Sequence, residues 1–292
     1  MAKEAEKPSA SSRLFISFCL VANVSLAIFI VILNKWVYVY VNFPNITMTM
    51  YHFLMTFVGL LVCRFFNMFQ VKTLPIAKML PLAVTFCGFV VFTNLSLGHN
   101  TVGTYQILKT LTMPPSCKTF SFKIKLTLIP LTLGVYLTTC FDIRFNVLGT
   151  AYALIGVFVT SLYQWVGEKQ KEFQVNSMQL LFYQAPLSAL LLLFVVPIVE
   201  PPWAAEGFLN HRWTLDQMAL VLLTGLVAFL VNLSIYWIIG NTSAVTYNVV
   251  GHTKVVLILA GGFVVFQDPL LPVQGLGLVL TLCGVFMYTH FK

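Results

Sequence analysis

Apolar stretches of bilayer length follow one another along almost the whole chain, separated by short loops. Each crossing of the hydrocarbon layer takes roughly 20 mostly apolar residues as an α-helix. Of the 292 residues, 59% are hydrophobic and only 9% are charged. Soluble chains carry about 25% charged residues, and no soluble domain of this size can hide so much apolar surface. The chain therefore reads as an all-α membrane protein. Its spans lie near 14–36, 46–67, 78–98, 101–115, 123–141, 147–166, 177–199, 216–238, 243–266 and 271–290. That makes about ten transmembrane helices in one transmembrane domain, 14–292, after a hydrophilic N-terminus, 1–13. The first span is too long and too apolar for a cleaved signal peptide, and no small-residue cleavage site follows it, so it reads as a retained anchor.

Charge sets the orientation. With both termini in the cytosol, the cytosolic loops hold twelve lysines and arginines, and the opposite side holds Lys35, Arg144 and Arg212. A bias of twelve to three is a strong positive-inside signal. The net charge of +8 is then mostly topology and calls for no nucleic acid. Six cysteines with no CxxC pair support neither a disulfide framework nor a metal site. Of the glycosylation sequons, only Asn45-Ile46-Thr47 falls on the lumenal side, close to the membrane.

Within the spans, two lysines close copies of one phrase. The first copy runs Asn94-Leu-Ser-Leu, Asn100-Thr, Thr104-Tyr105-Gln106, Lys109; the second runs Asn232-Leu-Ser-Ile, Asn241-Thr, Thr246-Tyr247-Asn248, Lys254. A charge at bilayer depth is costly unless it is paired or lines a wet cavity, so each lysine marks a candidate functional site. The alternative for each is snorkelling to the nearer headgroup layer.

Five spans precede Asp142 and five follow it, which gives a first repeat, 14–141, and an inverted second repeat, 142–292. Inverted repeats with a midplane site between them are the pattern of secondary transporters. Lys109 follows Asn100 by nine residues and Lys254 follows Asn241 by thirteen. At 1.5 Å per residue these are about 14 and about 20 Å into a layer about 30 Å thick, approached from opposite faces.

Tyr105 and Lys109 share a helical face at a spacing of four; Tyr247, Gly251 and Lys254 do so at i, i+4, i+7. Lysine binds phosphate as a point charge, while the hydroxyls and amides of Tyr105, Gln106, Tyr247 and Asn248 can orient it. His252, two residues before Lys254, joins this set, whereas His52 reads as a packing residue in the second span. Lys35, in Asn34-Lys35-Trp36, has the pattern of an interfacial anchor. Tyr183-Gln184-Ala-Pro186 in the seventh span offers a kink and polar groups to a cavity. An enzyme reading finds no GxSxG or HExxH and almost no acidic residue in the spans, so paired carboxylates for acid–base work or metal binding are lacking. No cofactor is implied.

The fourth span looks cut short. From Thr101 to Met113 is thirteen residues, about 20 Å of helix, before Pro114-Pro115. Consecutive prolines remove two amide donors and push the preceding residue out of αR geometry, so the helix is expected to stop near Met113.

Several runs carry a family resemblance: Leu33-Asn-Lys-Trp, Phe86-Cys-Gly-Phe-Val-Val-Phe-Thr-Asn-Leu-Ser-Leu, Leu126-Thr-Leu-Ile-Pro, Val175-Asn-Ser-Met-Gln-Leu-Leu and Asn232-Leu-Ser-Ile-Tyr-Trp-Ile-Ile-Gly-Asn-Thr-Ser. In these the chain resembles the sugar-phosphate and nucleotide-sugar translocators of the drug/metabolite transporter superfamily, including the triose-phosphate translocators. The resemblance implies ten helices in inverted five-helix repeats and exchange of a phosphorylated metabolite. The cargo implied is a nucleotide sugar such as a UDP-sugar, exchanged for a nucleoside monophosphate across a Golgi or endoplasmic-reticulum membrane. It also implies that Lys109 and Lys254 hold the substrate phosphate, with Val255 where triose-phosphate carriers have an arginine. A triose- or sugar-phosphate exchanger remains open, as does a transport-inactive, truncated form acting as a membrane interaction protein. A homodimer is compatible with either. Against its relatives the chain lacks roughly two helical turns after Met113 and the usual hydrophilic C-terminal tail.

Overall fold

The computed structural model describes residues 10–109, 111, 122–140, 146–169, 175, 177–204, 207–241, 254, 257–258, 261–262, 264–267 and 271–291, among which no strand occurs. The helices are α1 (Ala10–Trp36), α2 (Asn45–Phe65), α3 (Ile76–His99), α4 (Val102–Lys109), α5 (Phe122–Cys140), α6 (Val147–Lys169), α7 (Ser177–Val199), α8 (Leu215–Asn241) and a C-terminal helix (Pro272–Phe291). In the ninth span, residues 254, 257–258, 261–262 and 264–266 are helical. Five stretches are long and apolar enough to cross a membrane by length and composition: Ser17–Val41, Asn45–Phe65, Ile76–His99, Met178–Val199 and Leu215–Ser234. The chain is an all-α membrane protein. Phe65, Phe158, Phe194, Leu215 and Phe286 lie exposed on the outer faces of the helices, where lipid rather than water accepts them.

Only helices and closed barrels satisfy every backbone group inside lipid, which is why Pro81, Pro130, Pro186 and Pro197 sit within helices rather than ending them. Helix ends are completed from afar. The carboxylate of Glu200, just past α7, accepts the backbone N–H of Ile46 at 2.9 Å and that of Thr47 at 2.8 Å. Thr47 adds its hydroxyl at 2.9 Å. An anion at a helix N-terminus meets both the unsatisfied donors and the dipole there. At the start of α8, Thr214 and Gln217 exchange side chain–backbone hydrogen bonds as a capping box. Past Trp36, α1 widens into a π-helical turn, Val37–Val41, which Asn42 ends in left-handed geometry, φ 55°. Asparagine tolerates that region better than a branched residue would.

Helix α1 packs on α8 and α3 on α6, α2 packs on α7, and α5 on the C-terminal helix; α3 also touches α7, and α2 touches α8. Polar side chains pin several of these pairs. Asn23 donates to Ser234 at 2.7 Å, Asn94 to Thr49 at 2.9 Å, and Asn232 to Thr56 at 3.3 Å.

The fourth span is shorter than its sequence suggested. The described helix ends at Lys109, and Leu111 already stands in a turn, its N–H bonded to the Leu108 carbonyl at 3.1 Å. Eight residues give about 12 Å of helix. Met113 and the two prolines lie outside the described residues.

The α5 pairing with the C-terminal helix depends on missing side chains. A Cβ on Gly134 would come within 2.5 Å of the Thr281 backbone nitrogen and 2.6 Å of the Gly277 carbonyl oxygen; one on Gly284 would lie 2.7 Å from the Leu131 nitrogen. Small residues allow such backbone approach in membranes. Gly134→Val should therefore cost about 1–3 kcal/mol by overpacking. Gly275→Ala, where a Cβ would meet nothing within 4 Å, should leave stability unchanged or slightly raised. Thermal unfolding of the purified chain in detergent checks both; equal losses would show that the close approach is not what holds the pair.

Candidate functional site

A cavity of about 480 Å³ lies between α1, α2, α3, α4, α8 and the described part of the ninth span. Small-molecule sites occupy roughly 300–1,000 Å³. Lys109 and Lys254, from spans 145 residues apart in sequence, both line it. They bring two like charges to one cavity. Lys109 donates to the Tyr105 hydroxyl at 3.4 Å and sits 5.6 Å from the centre of that ring. This is the shared face expected from the four-residue spacing. No acidic side chain is among the described residues lining the cavity.

Polar and aromatic groups complete the wall. Thr56, Asn94 and Asn232 line it, with Phe53, Phe86 and Phe89. Their orientations are locked between helices: Thr49 accepts from Asn94 while its own hydroxyl donates to the Asn45 carbonyl at 2.8 Å. His52 also lines the cavity and is buried. Its Nε2 lies 3.0 Å from the Thr224 hydroxyl, which itself donates to the Val221 carbonyl at 2.7 Å. Thr224 must then accept from His52, so Nε2 carries a proton in this network. Asn34 and Gln106 are each 5% exposed, and their side-chain carbonyl oxygens have no hydrogen-bond partner. Leaving a buried acceptor unmet costs about 1–3 kcal/mol. A donor-bearing guest in the cavity would relieve that cost.

At the end where α1 finishes, the cavity is sealed by one packed cluster that includes Val37, Tyr38, Met48, Leu97, Val102, Tyr105 and Ile258. Lys35 braces this seal. Its ammonium donates to the carbonyls of Leu97 at 3.0 Å, Gly98 at 3.0 Å and Asn100 at 2.6 Å, tying α1 to the turn between α3 and α4.

Of the residues singled out in the sequence, the cavity brings together Tyr105, Gln106, Lys109 and Lys254. Tyr247, Asn248 and His252 lie outside the described residues. Three readings are corrected. Lys35 is not an interfacial anchor: it is 9% exposed and bonded to carbonyls that α3 cannot satisfy itself, while Trp36 beside it is 46% exposed. His52 is more than a packing residue, because its ring reaches the cavity. Tyr183 and Gln184 do not serve the cavity. Tyr183 holds the loop before α3 through the Lys72 carbonyl at 3.0 Å and the Leu74 N–H at 3.3 Å, and Gln184 donates to the Tyr163 hydroxyl at 3.4 Å. The Asn45 amide nitrogen packs against Gly98, where a Cβ would be 2.7 Å away. The sequence did hold a signal for the missed wall: Thr49, His52 and Thr56 fall at i, i+3 and i+7, one polar stripe in an apolar span.

Comparison with known proteins gives relatives along the whole length. The Triose-phosphate Transporter family matches residues 15–289. UDP-xylose transporter 3 of Arabidopsis thaliana is 32% identical over 286 residues, 94% of this chain and 79% of the relative. GDP-mannose transporter GONST5 of the same plant is 26% identical over 280 residues, 90% of this chain and 82% of its own. UDP-galactose transporter 1, also from that plant, is 25% identical over 280 residues, 90% and 83%. A solved crystal structure at 15% identity superposes with a TM-score of 0.57, covering 96% of this chain and 98% of its own, and shares the fold.

Replacing Lys35 with methionine keeps the apolar stem but strips three carbonyls of their donor. The loss of a charge-assisted hydrogen bond costs about 1.5–3 kcal/mol, so Lys35→Met should lower thermal stability in detergent by at least that much. Arg212→Met, an exposed position before α8, should not. Equal stability of the Lys35 variant and wild type would show that the brace carries no load.

Proposed function

The chain belongs to the Triose-phosphate Transporter family, and we propose that within it this protein is an antiporter of a nucleotide sugar, a UDP-sugar first, exchanged for a nucleoside monophosphate. The observation that carries the reading is the cavity in which Lys109 and Lys254 meet with no carboxylate among the described lining residues. Two compact cations in low dielectric attract a pyrophosphate or a phosphate. The aromatic rings at Phe53, Phe86 and Phe89 suit the face of a nucleobase, which every base possesses. The uncapped carbonyls of Asn34 and Gln106 suit N–H and O–H donors, of which a nucleotide sugar has many. The named relatives carry UDP-xylose, GDP-mannose and UDP-galactose, all nucleoside diphosphate sugars.

The packing supports alternating access. Exchange α1 with α6, α2 with α7, α3 with α8 and α5 with the C-terminal helix, and the main neighbour pairs map onto one another: α1–α8 onto α6–α3, and α3–α7 onto α8–α2. This supports two related halves, 14–141 and 142–292, that rock about the lysine pair. An empty cavity carrying two like charges crosses poorly, so a returning nucleotide makes the cycle an exchange. Charge bias along the loops supports both termini in the cytosol, and the nucleotide-sugar relatives support a Golgi or endoplasmic-reticulum membrane. Tyr247 and Asn248 belong to the same proposed site through their place in the repeated phrase, and His252 through its position two residues before Lys254.

The eight-residue α4 favours a second reading, a membrane interaction protein that does not transport. Uptake of labelled UDP-sugars into proteoliposomes preloaded with UMP separates the two. Binding to the purified chain tests the site itself. Lys109→Ala and Lys254→Ala should each weaken UDP-sugar affinity roughly 10- to 150-fold, from about 1.5–3 kcal/mol per phosphate contact. Lys78→Ala should bind as wild type does. Equal loss in all three, or none in the cavity pair, would dismiss the shared anion site.

A further inference from the structure

Beyond the seal lies a second chamber of about 300 Å³, lined by Tyr38, Asn42, Asn45, Glu200 and Gly207 among others. Its chemistry differs from that of the central cavity. The only charged group among its described lining residues is a carboxylate, that of Glu200, held in place by the three donors at the start of α2. Two polar atoms there are unmet. Tyr38 is 7% exposed and its hydroxyl has no hydrogen-bond partner, and neither does the side-chain carbonyl oxygen of Asn45. A buried polar atom without a partner costs about 1–3 kcal/mol, which a guest with the right groups would recover.

The chamber rejects phosphate, since a carboxylate repels it. It accepts hydroxyl donors through Glu200 and Asn45, and Tyr38 can both donate and accept. That combination fits a neutral polyhydroxylated ring. Its position fits as well: Tyr38 is packed in the same cluster as Tyr105, which lines the central cavity.

We propose that this second chamber is a subsite for the uncharged sugar part of the cargo, entered when the seal opens; it rests on the nucleotide-sugar reading of the central cavity. The sugar would meet Tyr38, Asn45 and Glu200 on its way past the seal, while the phosphate still faces Lys109 and Lys254.

Saturation-transfer NMR on the purified full chain tests this with methyl xyloside and methyl galactoside as probes, alongside UMP titration. Three proteins are compared: wild type, Tyr38→Phe, and the Lys109→Ala/Lys254→Ala double variant. Tyr38→Phe removes an oxygen that has no partner in the fold, so the folded state should be retained. Glycoside binding should persist in the lysine variant and fall at least threefold in Tyr38→Phe, with Asn45→Ala in the same direction. UMP affinity should fall only in the lysine variant. Absence of glycoside binding to a wild type that binds UMP would overturn the subsite, as would glycoside binding that survives Tyr38→Phe but needs the lysines. Glycoside binding without any UMP or UDP-sugar binding would instead sink the nucleotide-sugar reading and leave the chamber as a sugar site.

Discussion

Three carbonyl oxygens gathered around the Lys35 ammonium group fix the geometry of the whole sealed end. A helix leaves its last carbonyls without partners, and in a membrane no water stands ready to meet them. Here a cation from α1 meets those at the end of α3 and at Asn100. The turn into α4 is thereby set against α1, and with it the register of Tyr105 and Lys109. A lysine at that depth costs free energy alone, and so do orphan carbonyls; together each removes the other's penalty. The cluster around Val37, Leu97 and Val102 then closes over the brace as an apolar lid.

The same logic, on neutral groups, shapes the cavity walls. Three of the amide and imidazole groups that line the interior are tied to a hydroxyl on another helix: Asn94 to Thr49, Asn232 to Thr56, His52 to Thr224. Such bonds between membrane helices average only about 0.6 kcal/mol in stability. Their larger effect is on aim, because a side chain with one polar end anchored presents the rest in one orientation. Gln106 and Asn34 are the contrast, with carbonyl oxygens that no side chain has claimed. A binding cavity needs both kinds, fixed walls and a few open valences.

Much of this was legible from the residues. Span limits follow from composition, and most helices begin and end within three residues of the apolar windows because lipid leaves the backbone no alternative. Lys109 and Lys254 stood out because a charge at bilayer depth is costly unless it is paired or lines a wet cavity. Lys35 was misread for an equally physical reason. A Lys-Trp pair at a span end is what an interfacial anchor looks like, and the carbonyls that claim this lysine lie 62 to 65 residues away. His52 was undervalued because one histidine carries no pattern until Thr49 and Thr56 are placed on the same stripe. The second chamber had no local signature at all, since Tyr38, Asn45 and Glu200 come together only through the packing of α7 against α2.

That last contact bears on how the chain is made. Glu200 completes the start of α2 from more than 150 residues downstream, and Asn23 in α1 finds Ser234 only after 211 residues more. Synthesis runs from the N-terminus, so α1 and α2 enter the membrane long before their partners exist. Until the seventh and eighth helices arrive, the first amides of α2 and the Asn23 side chain must be met by something else, whether lipid headgroups, water or the insertion machinery. The early helices are therefore provisional, and the bundle is settled by its second half.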